Sequence, residues 1–359
     1  MKKKKRKFNI AILGCGRVAL HYYKIFNLNK ISNIDIVGVC DLKKNKAKFF
    51  AKKYNSRYFT DLSKMINKVK IDLLIICTPS GSHFLNAKTA LNKNINVLVE
   101  KPISMKPEQG QNLINIAKKK NLYLGVAFQN RFNSAIQCLK KAVDKKRFGK
   151  IITIAVVLRW CRYQNYYNDE WHGTWKNDGG VINQQAIHHI DSLNWIFGPI
   201  KRVNSIIGNR LNKLQAEDTF VSSLELENGA LCTVEATTAA RPKDYEASIS
   251  VLGEKGYAKI GGIALNKIIS IGYKRVLKKN KQDKEVKKIY SQKFDDGYGL
   301  SHLPLIKDSL SQLFKNKKDY SSTYSALTTT KIIHAFYLSA EQKKMILLND
   351  NPKSKKLGK

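Results

Sequence analysis

Acidic residues are scarce in this chain: 27 Asp and Glu stand against 65 Lys and Arg, a formal net charge of +38 over 359 residues. An excess of that size admits nucleic acid or anionic lipid as a partner through non-specific electrostatics. Yet the charge is spread along the whole chain, beside abundant Lys, Asn, Ile, Tyr and Phe, and no nucleic-acid recognition motif accompanies it. It reads as compositional bias, and nucleic acid is not expected as a partner. Only Lys2–Lys7 and Lys353–Lys359 form true clusters, both read as solvated ends. An anionic small molecule would still gain from the field.

Long apolar runs are absent as well. None approaches the roughly 20 residues a membrane helix needs, so no membrane span is expected. The opening Lys2–Lys7 followed by Phe8-Asn9-Ile10-Ala11-Ile12-Leu13-Gly14-Cys15 mimics an export signal. Its apolar core is broken by Asn9 and falls short of the roughly 7–15 residues a secretory segment uses. A cytoplasmic protein is expected instead. The six cysteines show no paired spacing, which leaves neither a disulfide framework nor a zinc pattern. They read as reduced, buried thiols, with no metal. There is no internal repeat, and low complexity is confined to the Lys-rich ends.

What is present is an alternation of strands and helices. Strands are predicted at Phe8–Leu13, Ile34–Cys40, Ile71–Cys77, Ile95–Val99 and Tyr123–Val126, with helices at Ala19–Asn27, Lys43–Tyr54, Phe84–Lys93 and Pro107–Lys120. Such alternation implies βαβ units and a doubly wound parallel sheet covered on both faces. After about residue 127 the rhythm changes. A helix at Ser134–Lys146 and a strand at Ile151–Trp160 lead through an aromatic loop to one helix over Ile182–Phe197. Alternating strands follow through Tyr273, and helix Ser321–Lys343 comes last. The fold class is α/β, with domains at 1–126 and 127–345 and a basic tail at 346–359. The open face of the second sheet is a candidate subunit interface.

Gly14-Cys15-Gly16-Arg17-Val18-Ala19 fits G-x-G-x-x-A between a strand and a helix. The glycines let backbone approach a pyrophosphate, and the helix amino end turns its N–H groups towards it. Asp41, at the end of the second strand, suits the adenine ribose hydroxyls and favours NAD. Lys43 and Lys44 beside it leave NADP open. Thr78-Pro79-Ser80-Gly81-Ser82-His83 shapes a loop at the same edge, where His83 is either a nicotinamide-ribose contact or a packing residue. Asn96-Val97-Leu98-Val99-Glu100-Lys101-Pro102 places a cation at the carboxyl end of a strand, where such sheets hold their chemistry. In Gly179-Gly180-Val181-Ile182-Asn183-Gln184-Gln185-Ala186-Ile187-His188-His189-Ile190-Asp191, helical spacing puts Gln184, His188 and Asp191 on one face. A histidine there suits acceptance of a hydroxyl proton. Asp191 is read as orienting its ring or as half of a partly buried structural His–Asp pair; His189, on another face, reads as structural.

Taken together these elements resemble the glucose–fructose oxidoreductase/inositol dehydrogenase/MocA family. The resemblance also rests on Gln129-Asn130-Arg131-Phe132, Glu217-Asp218-Thr219 and Gly253-Glu254-Lys255-Gly256, and spans residues 8–345. It implies an amino-terminal Rossmann domain and a carboxy-terminal α/β domain with an open, mostly antiparallel sheet. It further implies a homodimer or homotetramer, a cis bond before Pro102, and Lys101 and His188 at the reacting carbon of a sugar. Glu100, Lys101 and Gln129 join Gly14, Gly16, Arg17, Val18, Asp41, Thr78, Pro79, Ser80 and His83 as its cofactor residues. Where polyol dehydrogenases of the family carry Asp four residues before the histidine, this chain has Gln184, which can bond a hydroxyl but not take its proton.

Arg159-Trp160-Cys161-Arg162, Gln164, Tyr166-Tyr167 and Trp171-His172-Gly173-Thr174-Trp175 resemble the substrate loop of members that act on activated sugars. Aromatics stack on a sugar or base, and arginines answer carboxylate or phosphate. Arg131, Arg159, Tyr166, Tyr167, Trp175, Gln184 and His188 are the expected substrate residues. The narrower resemblance is to UDP-N-acetylglucosaminuronate 3-dehydrogenases of surface-polysaccharide synthesis. The expectation is therefore an NAD-dependent dehydrogenase acting on a secondary hydroxyl of a sugar or UDP-sugar. An NADP-linked enzyme for a free sugar or polyol such as inositol, and a cofactor-sensing regulator without catalysis, are the alternatives.

Overall fold

The computed structural model describes residues 7–28, 30–274, 279–292 and 299–359. The cluster expected over Lys2–Lys7 lies, Lys7 apart, outside the described residues. Two compact units result: the described residues through Ala127 with His302–Leu327, and Phe128–Ser301 with Thr328–Lys359. Residues 302–327 thus return to the first unit, and the second unit continues to Lys359.

In the first unit β1 (Phe8–Leu13), α1 (Arg17–Phe26), β2 (Ile34–Cys40), α2 (Lys44–Tyr54), β3 (Arg57–Phe59), α3 (Leu62–Lys68), β4 (Leu73–Ile76), α4 (His83–Asn92), β5 (Asn96–Val99), α5 (Pro107–Lys119) and β6 (Leu124–Val126) follow one another. The six strands pair in parallel in the order β3-β2-β1-β4-β5-β6, a Rossmann arrangement. β4 is buried throughout, as an apolar run covered on both faces must be. β3 and α3 have no counterpart in the sequence reading. Three largely exposed residues carry no periodicity, although Asp61 accepting the Lys64 amide at 2.7 Å is a legible helix start. The returning segment braces the β6 edge. Tyr320 donates to the carbonyls of Ala117 and Leu122, and the Tyr123 hydroxyl donates to Ser309.

The second unit begins with α6 (Ser134–Asp144) and β7 (Ile151–Arg159), then α7 (Val181–Gln184) and α8 (Ile187–Phe197). β8 (Ile200–Gly208), β9 (Thr219–Leu226), β10 (Leu231–Thr237), β11 (Glu246–Gly253), β12 (Gly256–Gly261) and β13 (Lys267–Tyr273) follow, then α9 (Lys279–Tyr290). After α10 (His302–Leu313) of the first unit come α11 (Ser321–Gln342), which spans the boundary, and β14 (Ile346–Leu347). The sheet runs β13-β12-β11-β7-β10-β9-β8-β14, antiparallel except at β7–β10. One face, carrying Leu158, Phe220 and Val234, is buried, and Phe220 meets Phe336 of α11. The opposite face leaves Ile206, Val221, Leu231 and Leu252 about half exposed or more.

Two expectations are corrected here. The helix expected over Ile182–Phe197 is interrupted at Gln185-Ala186, giving α7 and α8. The tail is not a solvated end. β14 pairs with β8, Ser354 donates its amide to His334 Nδ1 at 3.0 Å, and Leu357 is 1% exposed. All six cysteines are free, but only Cys15, Cys40 and Cys232 are fully buried.

Candidate active site

At the carboxyl edge of the first sheet, Gly14 adopts φ +91°, and a Cβ there would stand 2.7 Å from the Cys77 backbone. Only glycine lets β1 turn this close to the end of β4. A Cβ at Gly16 would meet nothing within 4 Å, so the turn keeps open space beside it. α1 starts at Arg17 with no side-chain cap at Gly16 and no acidic residue in its first turn, so its amino end suits an anion. Asp41 accepts the Cys15 amide on Oδ2 and the Lys43 amide on Oδ1, both at 2.8 Å. The carboxylate is thus fixed beside the turn, with acceptor capacity left for ribose hydroxyls. These features fit a dinucleotide: Gly14, Gly16, Arg17, Val18 and Asp41 are the residues that would hold it. Burial, with the charge of Asp41, pushes the Cys15 thiol up to about 12, which keeps it inert within the loop.

Thr78 Oγ1 bonds Ser82 and Asn86, pinning the Thr78-Pro79-Ser80 loop to α4. His83 is not presented to a ligand. It is 1% exposed, with Nδ1 2.7 Å from Pro102 O and Nε2 2.9 Å from Thr78 O. Burial lowers its pKa despite these two carbonyls, and the ring acts as a cross-brace between the two loops. Glu100 is likewise turned inward, accepting the Tyr22 hydroxyl at 3.1 Å and standing 3.7 Å from His302 Nε2. Burial alone would raise this carboxyl, yet His302, Lys101 and Tyr22 hold it below its usual value. Lys101, half-buried, stands two residues past the end of β5, and its bond to Pro102 is cis as expected.

In the second unit, Val181–Asp191 is buried at every position but two, and those two are Gln184 and His188. The interruption between α7 and α8 therefore leaves this pair on one open face. Asp191 does not share it. Its oxygens take Arg131 Nε at 2.7 Å, a second Arg131 nitrogen at 2.5 Å and the Thr329 hydroxyl at 2.9 Å. Asp191 thus pairs with Arg131 where a His–Asp pair was expected, and two nitrogens of the expected substrate residue Arg131 are committed to it. Gln129 and Asn130, in the same short turn, are buried too. The His188 ring meets Phe128 edge-on at 5.9 Å.

Arg159 points to the open face of the sheet, where it pairs with Glu235 at 2.6 Å and Glu246 at 3.1 Å. The alternation of β7 places it there, away from the helix-covered face that α8 packs on. Tyr167 is buried with its hydroxyl on Thr238, whereas Tyr166 is half-exposed beside His172 and Arg162. Trp175 stacks edge-on against Tyr337 at 5.2 Å, and its carbonyl accepts the Gly358 amide. Thr329, Tyr337 and Glu217 are functional neighbours that the sequence reading did not place. Only Glu217 carried a signal, in its Glu217-Asp218-Thr219 motif.

Residues 8–128 match the profile described as oxidoreductase family, NAD-binding Rossmann fold, and residues 136–259 match the GFO/IDH/MocA C-terminal domain. The chain belongs to the Gfo/Idh/MocA oxidoreductase family. It is accordingly an NAD(P)-dependent oxidoreductase acting on CH–OH groups, with an NAD-binding first domain. Among its relatives, the WlbA dehydrogenase from Bordetella pertussis, solved with NADH and UDP-GlcNAcA, is 28% identical with a TM-score of 0.89, covering 96% of this chain and 98% of that one. The Chromobacterium violaceum WlbA dehydrogenase, in complex with the same two ligands, is 28% identical with a TM-score of 0.87 and 96% coverage of both chains. D-glucoside 3-dehydrogenase of Escherichia coli K12 is 26% identical over 273 residues, 70% of this chain and 76% of that protein. Within a Gfo/Idh/MocA protein, the arrangement supplies an anion cradle, a cation at a strand end, and an imidazole with an amide on an open helical face. Those groups can bind a dinucleotide, polarise an oxygen and take a proton.

Proposed function

We propose that this protein is an NAD-dependent dehydrogenase that oxidises a secondary hydroxyl of a UDP-linked sugar, at C3 of an N-acetylglucosaminuronate-type ring. The reading is carried by the similarity to two proteins solved with NADH and UDP-GlcNAcA, at 28% identity and 96% of this chain. Gln184 supports it, since an amide one turn before His188 can hold a hydroxyl without competing for its proton. NAD, when bound, supplies the hydride acceptor. His188 takes the hydroxyl proton, Lys101 donates to the oxygen as it becomes a ketone, and Gln184 fixes the ring. The half-exposed Tyr166 and Trp175 supply stacking surface. The protein works in the cytoplasm as a homo-oligomer joined through the open, partly apolar sheet face, its product feeding surface-polysaccharide synthesis.

The test is reduced-nicotinamide absorbance with NAD or NADP and a panel of UDP-sugars, free glycosides and polyols, with a 2-oxo acid included to recycle tightly held cofactor. Turnover on a UDP-uronic acid, reduced roughly 100-fold or more in Lys101→Ala and in His188→Ala, is the expected result. Full turnover in both variants would overturn the mechanism, and turnover on free glycosides alone would move the substrate to the sugar class of the D-glucoside relative.

A further inference from the structure

Gly179-Gly180 and Glu217-Asp218-Thr219 are sequence signatures that the reaction does not use, and the structure joins them. A Cβ at Gly180 would stand 2.2 Å from the Glu217 carbonyl oxygen and 2.3 Å from its carboxyl carbon and Oε2. The side chain therefore lies directly against the glycine. Val181 donates its amide to the Glu217 carbonyl at 2.9 Å, and Ile182 donates to Oε1 at 3.0 Å. The Tyr337 hydroxyl donates to Oε1 at 3.0 Å while accepting the Gly180 amide at 3.0 Å. Three successive amides at the start of α7 are thus held by one glutamate and one tyrosine.

We propose that Glu217 is a positioning residue: as a neutral carboxylic acid it clamps the start of α7 and so fixes the placement of Gln184 and His188. What those two residues do rests on the function proposed above, but the clamp does not. The geometry favours the neutral acid. Glu217 is 1% exposed, and its Oε2 has no hydrogen-bond partner among the described residues. The charge facing it is the Asp178 carboxylate, of like sign and itself buried, while α11 offers the uncharged Tyr337 hydroxyl and α7 offers backbone amides. Asp218, the next residue and just ahead of β9, turns away to cap the amides of Arg210, Leu211 and Asn212. Burial, aided by Asp178, pushes the Glu217 carboxyl from its usual 4.5 up to about 8. Above pH 4.5 an opened chain releases the proton that the folded carboxyl keeps, so the clamp's stabilising contribution falls as pH rises from 4.5 and is lost by about pH 8. The clamp should therefore be firmest in acid, loosen progressively through neutral pH and change no further above about pH 8.

Hydrogen exchange of the Val181–His188 amides and kcat/KM, both followed from pH 6 to 9 on the NAD-loaded protein, test this in wild type, Glu217→Gln and Tyr337→Phe. Gln is the neutral isostere. Relative to Glu217→Gln at the same pH, wild-type exchange should gain about tenfold per unit, roughly 100-fold from pH 6 to about 8, and level off from there to pH 9. Wild-type kcat/KM should fall over the same range, Glu217→Gln should lack that fall, and NADH affinity should be the same in both. Tyr337→Phe removes a donor to the carboxyl, which should move the levelling-off of that gain to higher pH. That variant decides the matter if the glutamine variant fails to fold. Parallel exchange profiles in wild type and Glu217→Gln, or a levelling-off unmoved in Tyr337→Phe, overturn the clamp. The expected exchange pattern without turnover on any sugar sustains the clamp and rejects the functional reading instead.

Discussion

The two units fix their candidate residues with different material. In the first, the cofactor cradle is backbone: Gly14 makes the close turn, Gly16 keeps space open, and the first amides of α1 face it. Side chains such as Asp41 and His83 act mainly by holding that backbone still. In the second unit, Gln184 and His188 ride on a broken helix, and buried side chains reaching across long sequence separations fix it: Arg131 and Thr329 on Asp191, Tyr337 and Glu217 on α7. A backbone site depends on what glycine permits, whereas a side-chain site depends on pairs that fail together.

The pair dependence is broken most directly by Arg131→Met. The Asp191 carboxylate, 1% exposed, would lose its bidentate cation and stay buried with the Thr329 hydroxyl as its remaining partner of the three named here. Removing one member of a buried ion pair costs about 3–5 kcal/mol, and urea unfolding should show a loss of that size. Adding Asp191→Leu in the same chain should recover most of it, because the stranded charge is then gone. A single variant as stable as wild type would show that the second unit does not depend on this pair.

The backbone half is sharpened by two alanines that look alike in sequence. Gly14→Ala places a Cβ against the Cys77 backbone at positive φ, so both melting temperature and NADH affinity should fall, affinity by about 100-fold or roughly 2.7 kcal/mol. Gly16→Ala meets nothing in the protein. Its melting temperature should match wild type while NADH binding, read by fluorescence titration, weakens. Equal melting losses in the two would mean that neither glycine is reserved for the ligand.

This contrast also explains what was legible beforehand. G-x-G-x-x-A, Asp41 and Lys101 could be read because a strand end, a turn and a helix start are neighbours in sequence, and local rules govern each. The same locality made Gln184 and His188 visible through their spacing. For Arg131 and Arg159 the sequence shows their charge but not the carboxylates that pair with it, Asp191 in one case and Glu235 with Glu246 in the other. His83 was read as ligand-facing or packing, and only the carbonyls of Thr78 and Pro102 decide between them. The tail misled for the opposite reason. Its lysines advertise solvent, while Leu357 is the residue that docks it.

The smallest predicted effect concerns His189, beside His188 in sequence but turned into the core. Its ring meets Trp160 edge-on at 6.3 Å, and neither nitrogen has a hydrogen-bond partner among the described residues. Burial lowers its pKa from 6.5 to about 3. The sign then follows from proton counting. Below 6.5 the unfolded chain binds a proton that the folded chain refuses, so stability present above that pH is lost as pH falls towards 3. The slope in this window approaches about 1.4 kcal/mol per pH unit for one such group. His189→Phe keeps an aromatic ring in the core and removes the titration, so the difference in urea stability between variant and wild type should grow as pH drops from 7 to 5. A constant difference would mean that His189 takes up its proton in the folded state, which requires an internal partner such as buried water. In that case even the core side of α8 would depend on polar pairing, and the contrast with the glycine-built cradle would be sharper still.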